Sequence, residues 1–235
     1  MNILAIHTSH DGAITIVKND KFLLHAQIER FTGMVVSSLP SFKLLVQIKK
    51  LGITFDKIII TFLTDSCHFW WEDALEKFKL ISPHTQMHFA KDKNHHLFHS
   101  YCAKATIGER ANMVVIDGSG SPLSDNKLEQ ETIFHKDKII FQEHNHIGKD
   151  YEKRTIELIK RDFLGVRYCG KTMALSSYGG SLQIFQKKTE AKIKKIMPTS
   201  NVSYTGGVAQ NVLANSQFFK YKNFEIDPLC TDQGI

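Results

Sequence analysis

Apolar and polar residues alternate along the first thirty positions in a pattern typical of short β-strands. The predicted strands are 3–8, 13–18 and 22–28, and Asn19-Asp20 forms the turn before the third. A helical period follows at 42–51, bounded by Pro40 and Gly52. The rest of this half alternates strand and helix, with a strand at 57–62, a helix at 70–80, a strand at 85–89 and a helix at 95–107.

The same pattern restarts at Asn112. It predicts a strand at 113–116, a hairpin of 132–135 with 138–143, helices at 151–163, 172–177 and 182–196, a strand ending at 203–205, a helix at 208–219 and a strand at 224–226. Two tandem units of this kind predict a duplicated α/β fold, with two lobes around a central cleft. The predicted lobes are residues 1–110 and 111–235. One doubly wound sheet without duplication is the alternative.

Composition narrows the class of protein. The chain has 235 residues, 42% hydrophobic and 23% charged, as in ordinary globular proteins. Its four cysteines lie far apart without a C-x-x-C pair, which argues against a zinc knuckle or a disulfide framework and predicts a cytoplasmic location. Neither a leader pattern nor a long apolar run is present, so we expect no membrane partner. The net charge of +6 favours anionic ligands, but the lysines of 187–195 fit the solvated face of a helix better than an RNA-binding patch.

Each repeat places an Asp-Gly pair directly after its first strand. These pairs are Asp11-Gly12 and Asp117-Gly118. Glycine allows backbone N–H groups to approach a phosphate closely, and the aspartate can reach a metal or a water molecule. A single Asp-Gly pair also forms ordinary hairpin turns, but two at equivalent positions of a repeat favour a phosphate-binding edge.

A third glycine element is Gly206-Gly207, which leads from a predicted strand into a predicted helix that includes Asn211. Such a turn presents N–H groups to an anion or a ribose, although a structural turn is the alternative. We expect that valine at Gly206 abolishes nucleotide binding with little loss of fold. The sequence contains no G-x-x-x-x-G-K-[ST] stretch, which excludes the P-loop class.

A pair of histidines is the candidate metal-binding motif. His95 and His99 lie one turn apart in a predicted helix and project from the same face, whereas His96 points elsewhere. Asp117 and Asp232 are the candidate oxygen ligands. A chance H-x-x-x-H remains the alternative, because the chain contains 12 histidines.

Seven short motifs follow one another along the chain. They are HDGA at 10–13, QIERFT at 27–32, HHLFH at 95–99, DGSG at 117–120, GKTMALSSYG at 170–179, TGGVAQN at 205–211 and PLCTDQGI at 228–235. In this order they resemble the N-terminal domain of the O-carbamoyltransferase family (nodulation/cephamycin type) and, more distantly, the tRNA threonylcarbamoyl transferase family. The resemblance implies an actin/sugar-kinase/Hsp70-like (ASKHA) fold.

The resemblance also implies a reaction. The family moves a carbamoyl group from carbamoyl-adenylate, made from carbamoyl phosphate and ATP, to a hydroxyl of a small-molecule acceptor. By resemblance, His95, His99 and Asp232 would hold a divalent metal, Fe²⁺, with Asp117 beside it. The implied catalytic residues are His10, Asp11 and Lys171, with His10 orienting the acceptor or accepting its proton. The implied nucleotide-binding residues are Gly12, Gly118, Ser119, Gly120, Gly170, Gly206, Gly207 and Asn211.

The chain departs from the family pattern in several places. Ser121 stands where the family commonly has glutamate, and Gly33-Met34 follows where basic residues and a histidine are usual. The sequence stops at Ile235, where a closing helix would begin, which predicts a second lobe truncated at its C-terminus. Nothing resembles the adenylate-forming domain, so we expect a separate carbamoyl-adenylate-forming (YrdC-like) partner. The alternatives are a tRNA threonylcarbamoyl-type transferase, although no nucleic-acid partner is expected, and an inactive nucleotide-binding remnant or scaffold.

Overall fold

The computed structural model describes residues 1–8, 12–33, 39–62, 67–91, 94–123, 127–159 and 169–228. The strands are β1 Asn2–His7, β2 Ala13–Lys18, β3 Lys21–Gln27, β4 Lys57–Phe62, β5 Gln86–Lys91, β6 Asn112–Ile116, β7 Glu131–His135, β8 Lys138–Glu143, β9 Ser200–Thr205 and β10 Lys222–Ile226. The α-helices are α1 Glu29–Thr32, α2 Phe42–Lys50, α3 Cys67–Lys77, α4 His95–Ile107, α5 Ile147–Ile159, α6 Cys169–Ser176, α7 Gly180–Ile196 and α8 Val212–Asn215.

The strands form two five-stranded sheets of identical topology. The first has the order β3-β2-β1-β4-β5 and the second β8-β7-β6-β9-β10. In both sheets the first three strands in chain order pair antiparallel, and the next two are added in parallel beside the first. The duplicated α/β topology predicted from the repeat is therefore confirmed, and the alternative of one doubly wound sheet is wrong.

The chain divides into two compact units, residues 1–92 and residues 93–234. Helix α4 belongs to the second unit because it packs on β6, β9 and β10. The division predicted at residue 110 placed α4 in the first lobe, because α4 precedes the second strand pattern in the chain. Among the described residues, none of the helices is long and apolar enough to cross a membrane.

The core of the first unit consists of apolar rows that run across three strands. Ile16, Leu4 and Ile58 form one row, because β1 pairs with β2 on one side and with β4 on the other. All three side chains are fully buried. Burial of such a side chain contributes about 1.5–3 kcal/mol relative to exposure. The alternation that predicted these strands therefore also identifies the residues that hold the sheet together.

In the second unit, β6 is buried on both faces. Val114 and Ile116 pack in a cluster with residues of α5 and α7, whereas Met113 and Val115 pack under α4. A run of apolar residues without alternation is typical of a strand covered on both sides. The carboxyl end of β6 therefore emerges between helices, and Asp117 is the first residue beyond it.

The helix predicted at 208–219 is wrong. The structure has a 3₁₀ turn at Gly207–Gln210, and α8 then starts afresh after Asn211. The backbone of Asn211 is not helical (φ −76°, ψ 86°), and its side-chain oxygen accepts a hydrogen bond from the N–H of Ala214. An asparagine that caps a new helix interrupts the old one, which periodicity alone does not reveal.

Candidate functional site

Three side chains of the second unit converge at the carboxyl end of β6. The Oδ2 atom of Asp117 lies 3.2 Å from Nε2 of His95 and 3.2 Å from Nε2 of His99. The two Nε2 atoms are 3.2 Å from each other. The three donor atoms thus form a nearly equilateral triangle, and this is the only His/Cys/Asp/Glu group of suitable geometry for an ion among the described residues.

Helix geometry explains the histidine half of this cluster. His95 opens α4 and His99 follows four residues later, so both rings project from the same side of the helix. Both rings are almost completely buried, whereas the side chain of Asp117 is 15% exposed. The cluster is therefore enclosed on the helix side and accessible from the aspartate side.

The carboxylate of Asp117 is oriented by its own loop. Its backbone N–H donates to the carbonyl oxygen of Gln130, which continues the pairing of β6 with β7. Its Oδ1 atom accepts a 2.6 Å hydrogen bond from the N–H of Gly118. With Oδ1 fixed in this way, Oδ2 faces the two histidines.

The spacing of the donor atoms fits a single metal ion. Atoms 3.2 Å apart can each lie about 2.1 Å from one ion, with about 100° between any two bonds, which suits four- to six-coordinate divalent metals. Two imidazoles and one carboxylate are a donor set that non-haem Fe²⁺ and Zn²⁺ both accept. The structure thus brings together three of the four predicted ligands, and the fourth, Asp232, lies outside the described residues.

Helix α4 is anchored to the loop that follows Asp117. The N–H of His95 donates to Oγ of Ser121 (3.0 Å), and the N–H of His96 donates to Oε2 of Glu129 (3.2 Å). The ring of His96 points away from the cluster, with Nδ1 2.7 Å from Oγ1 of Thr132. Backbone N–H groups in the first turn of a helix have no partner within the helix, so these contacts satisfy them and fix the helix beside β6.

Glycine allows the closest contacts around Asp117. A Cβ atom on Gly148, in the first turn of α5, would lie 2.5 Å from the carbonyl oxygen of Asp117. A Cβ atom on Gly207 would lie 2.9 Å from Oδ1 of the same residue. Both separations are shorter than real Cβ contacts, so glycine at these two positions lets α5 and the turn after β9 approach Asp117 without displacing it. In contrast, the space beside Gly118 is open.

Gly206 has a structural role that its sequence context did not reveal. A Cβ atom there would lie 2.5 Å from the carbonyl oxygen of Ile116, and its φ of +89° is strained for any other residue. The neighbour of Gly206 is thus the backbone of β6. This packing argues against the expectation that Gly206→Val spares the fold.

A second buried carboxylate, Glu131, fixes the start of α5. Its side chain accepts hydrogen bonds from the N–H groups of Asn145 (2.7 Å) and Ile147 (3.0 Å). Burial raises the pKa of this carboxyl above its ordinary value, and the two N–H donors oppose part of that rise. Gln130, beside it, accepts from the N–H of His146 through its side chain. Residues 129–131 were not predicted from the sequence, because polar residues at the start of a strand carry no periodic signal.

Asn211 is part of an internal polar network. Its amide groups exchange hydrogen bonds with the side chain of Gln186, which also accepts from the hydroxyl of Tyr151 (2.7 Å). Burial raises the pKa of the Tyr151 hydroxyl far above its usual range. The amide of Asn211 thus joins α7 to the turn after β9.

The remaining predicted residues are spread over both units. Gly170 and Lys171 lie exposed at the start of α6, and Ser119 is exposed in the loop after Asp117. Gly12, in the first unit, is buried, and its carbonyl oxygen accepts from the N–H of Ile28. His10 and Asp11 lie outside the described residues. Their predicted catalytic roles stay predictions.

No protein-family model matches the sequence, and no curated protein matches it. Several solved structures are similar in fold. HypF, in a phosphate- and nucleotide-bound form, is 9% identical with a TM-score of 0.50 over 99% of this chain and 53% of that chain. A ROK family glucokinase from Streptomyces griseus, in complex with glucose and AMPPNP, is 9% identical with a TM-score of 0.47 over 100% and 96% of the two chains.

The activator of the 2-hydroxyisocaproyl-CoA dehydratase from Clostridium difficile, with bound ADPNP, is 14% identical with a TM-score of 0.44 over 100% of this chain and 92% of that chain. The chain spans about half the length of HypF. At these identities the likeness concerns the fold alone. Two sheets of identical order and the likeness to HypF show that the chain has the duplicated α/β fold of the actin/sugar-kinase/Hsp70 type.

Proposed function

We propose that the protein is a metal-dependent, nucleotide-binding carbamoyltransferase. The observation that carries the proposal is the triangle of His95, His99 and Asp117 at the carboxyl end of β6, next to the glycine-rich edge of the same sheet. In open α/β sheets, ligands bind beyond the carboxyl ends of the strands. The motifs that resemble the O-carbamoyltransferase family include these three residues and that edge.

The metal that we propose is Fe²⁺, held by His95, His99 and Asp117 with Asp232 as a fourth ligand. When bound, it would polarise the carbamoyl carbonyl or an adenylate oxygen as a Lewis acid. The chain's own contribution is orientation. Gly118 fixes the carboxylate of Asp117 through its N–H and leaves open space on its other side, where an adenylate phosphate would approach.

HypF, which has the same fold, was solved with phosphate and nucleotide bound, in keeping with a nucleotide site on this fold. We propose that the donor is carbamoyl-adenylate supplied by a separate adenylate-forming protein, and that the acceptor is a hydroxyl of a small molecule. Lys171 would contact the adenylate, and His10 would orient the acceptor or take its proton.

The test has a binding stage and a reaction stage. Calorimetry would measure AMP binding with and without Co²⁺, which is more stable in air than Fe²⁺. Coupling of the two sites requires that Co²⁺ raise the affinity for AMP and that AMP raise the affinity for Co²⁺ by the same factor. Asp117→Asn should abolish this coupling, because the amide keeps the shape of the side chain but loses its charge.

The reaction stage would supply carbamoyl-adenylate from carbamoyl phosphate, ATP and a YrdC-like enzyme, with a panel of polyhydroxylated acceptors. We expect metal-dependent release of AMP, accelerated by the correct acceptor and lost in Asp117→Asn. A protein that binds Co²⁺ but neither binds AMP nor consumes carbamoyl-adenylate would not be a carbamoyltransferase.

A further inference from the structure

The side chain of Glu129 joins the two parts of the chain that carry the histidines and the aspartate. Its Oε2 atom accepts from the N–H of His96 at 3.2 Å and from the N–H of Ser121 at 3.1 Å. The first donor belongs to the opening turn of α4, and the second lies four residues after Asp117. The carboxylate thus connects the helix of His95 and His99 to the loop of Asp117.

The backbone around Glu129 holds the carboxylate in this position. Its N–H donates to the carbonyl oxygen of Ser121 (3.0 Å), and its carbonyl oxygen accepts from the N–H of Gly120 (2.7 Å). The residue is 7% exposed. Since both the main chain and the side chain of Glu129 are hydrogen-bonded, the carboxylate has little freedom to turn.

Gly120 provides the space that Glu129 occupies. A Cβ atom on Gly120 would lie 2.8 Å from Oε2 and 2.9 Å from Cβ of Glu129, and 2.9 Å from Cδ2 of His96. The three groups fit together only because Gly120 has no side chain. Gly120 was predicted to bind nucleotide, and in the structure the groups closest to its missing Cβ belong to Glu129 and His96.

The negative charge of Glu129 also affects the electrostatics at the start of α4. His95 is the first residue of α4, so an ion bound there lies at the positive end of the helix dipole, which repels a cation. The carboxylate of Glu129 accepts N–H groups at that same end, where a negative charge is favourable. It therefore offsets the positive end of the helix beside the proposed cation.

We propose that Glu129 is a positioning residue for the metal: it holds α4 against the Asp117 loop and makes the start of this helix electrostatically suitable for a cation. This rests on the metal site of the proposed function. Neither atom of its carboxylate needs to touch the ion. Partners that hydrogen-bond directly to metal ligands change metal affinity by roughly 10- to 100-fold when they are replaced. Glu129 acts through the backbone that carries the ligands, so we expect an effect at the lower end of this range.

The experiment compares Glu129→Gln with Glu131→Gln in the full chain. Glutamine keeps an oxygen acceptor but removes the charge. Glu131 is a matched control because it is a buried carboxylate that caps α5, a helix that carries none of the three donor atoms and approaches only the backbone of Asp117. Co²⁺ would be titrated into each protein, with affinity taken from the visible absorption of the bound ion and folding checked by circular dichroism.

We expect Glu129→Gln to bind Co²⁺ at least tenfold more weakly than wild type, with the visible absorption bands of the bound ion at unchanged positions because its ligands are the same. We expect the Co²⁺ affinity of Glu131→Gln to stay within about threefold of wild type. Wild-type affinity in Glu129→Gln, or equal losses in the two variants, would overturn the proposal. If the wild type itself bound no Co²⁺, the metal site of the proposed function would fail, and the role of Glu129 with it.

A second variant covers the case in which Glu129→Gln does not fold. Glu129→Asp keeps the charge but withdraws the carboxylate by one methylene from the N–H groups of His96 and Ser121. We expect Co²⁺ affinity to fall severalfold in this variant. Wild-type affinity in Glu129→Asp would contradict a positioning role.

Discussion

Gly207 lies against the carboxylate of Asp117, since a Cβ atom on Gly207 would be 2.9 Å from Oδ1. The atom in the way is the end of a side chain, so the carboxylate can rotate away and the backbone can stay in place. Rotation would move Oδ2, which lies 3.2 Å from both histidines. The contact between Gly207 and Asp117 therefore links the turn after β9 to the orientation of the proposed metal ligand.

The first prediction is that Gly207→Ala weakens metal binding more than it weakens the fold. We expect Co²⁺ affinity to fall roughly tenfold, as for other changes that misorient a ligand, while the melting temperature falls by only a few degrees. Titration followed by visible absorption and a thermal melt would measure the two effects. Unchanged Co²⁺ affinity in Gly207→Ala would show that the orientation of the Asp117 carboxylate in this structure is not needed to bind the ion.

The second prediction is that Gly206→Val mainly destabilises the fold, in contrast to Gly207→Ala. The added Cβ would meet the carbonyl oxygen of Ile116 at 2.5 Å, and valine would be strained at a φ of +89°. Because backbone atoms of β6 cannot rotate aside, we expect a loss of about 3 kcal/mol or more in the free energy of unfolding. For a chain of this size, that loss lowers the melting temperature by about 10 °C. Urea unfolding is the direct measurement, and a variant as stable as wild type would refute the assignment.

A third prediction tests the histidines by ligand-induced stabilisation. At 100 times its dissociation constant, a bound ion stabilises a protein by about 2.7 kcal/mol. We expect saturating Co²⁺ to raise the melting temperature of wild type by about 5–10 °C and to leave that of His99→Ala unchanged. The comparison with and without metal within each protein removes the stability cost of losing a buried histidine.

His88→Ala is the control for this measurement. His88 is exposed on β5, in the first unit, and should retain the full shift. Loss of the shift in His88→Ala, or its persistence in His99→Ala, would contradict the site.

The fourth prediction concerns acid and Glu131. Its pKa is raised by burial above the ordinary value of 4.5, so the folded protein binds this proton more tightly than the unfolded chain. The resulting stability is complete below about pH 4.5 and is lost as the pH rises through the folded-state pKa. Urea unfolding from about pH 8 down to about pH 4.5 should show wild type gaining stability relative to Glu131→Gln. Loss of wild-type stability relative to Glu131→Gln as the pH falls would mean that the N–H donors outweigh burial and lower the pKa.

The sequence predicted the fold well because its signals were local. The apolar row through Leu4 follows from alternation, the unbroken apolar run at 113–116 marks β6, and the equal topology of the two sheets follows from the repeat. The convergence of His95, His99 and Asp117 was predictable for similar reasons. Helical spacing aligned the two rings, and Asp117 directly follows a buried strand.

The supporting residues were not predictable in the same way. Glu129 and Glu131 are identified by the helix ends that they cap, and each helix end is distant in sequence from the glutamate that caps it. Gly148 was missed because the predicted helix began at 151, several residues after the actual start of α5. The role of Gly206 was misassigned because a sequence indicates that a turn needs glycine but does not show whether a ligand or another part of the chain lies against it.

The donor atoms of the cluster come from a short, continuous part of the chain. His95 and Asp117 are separated by 22 residues, and Glu129 follows soon after. Closing a flexible loop of that length costs about 3 kcal/mol in chain entropy, before a constant term. Low sequence separation also favours fast folding. We therefore expect α4 and the segment after it to bring the three described ligands together before the parallel strand β9 is added, and the proposed fourth ligand, Asp232, to join them last.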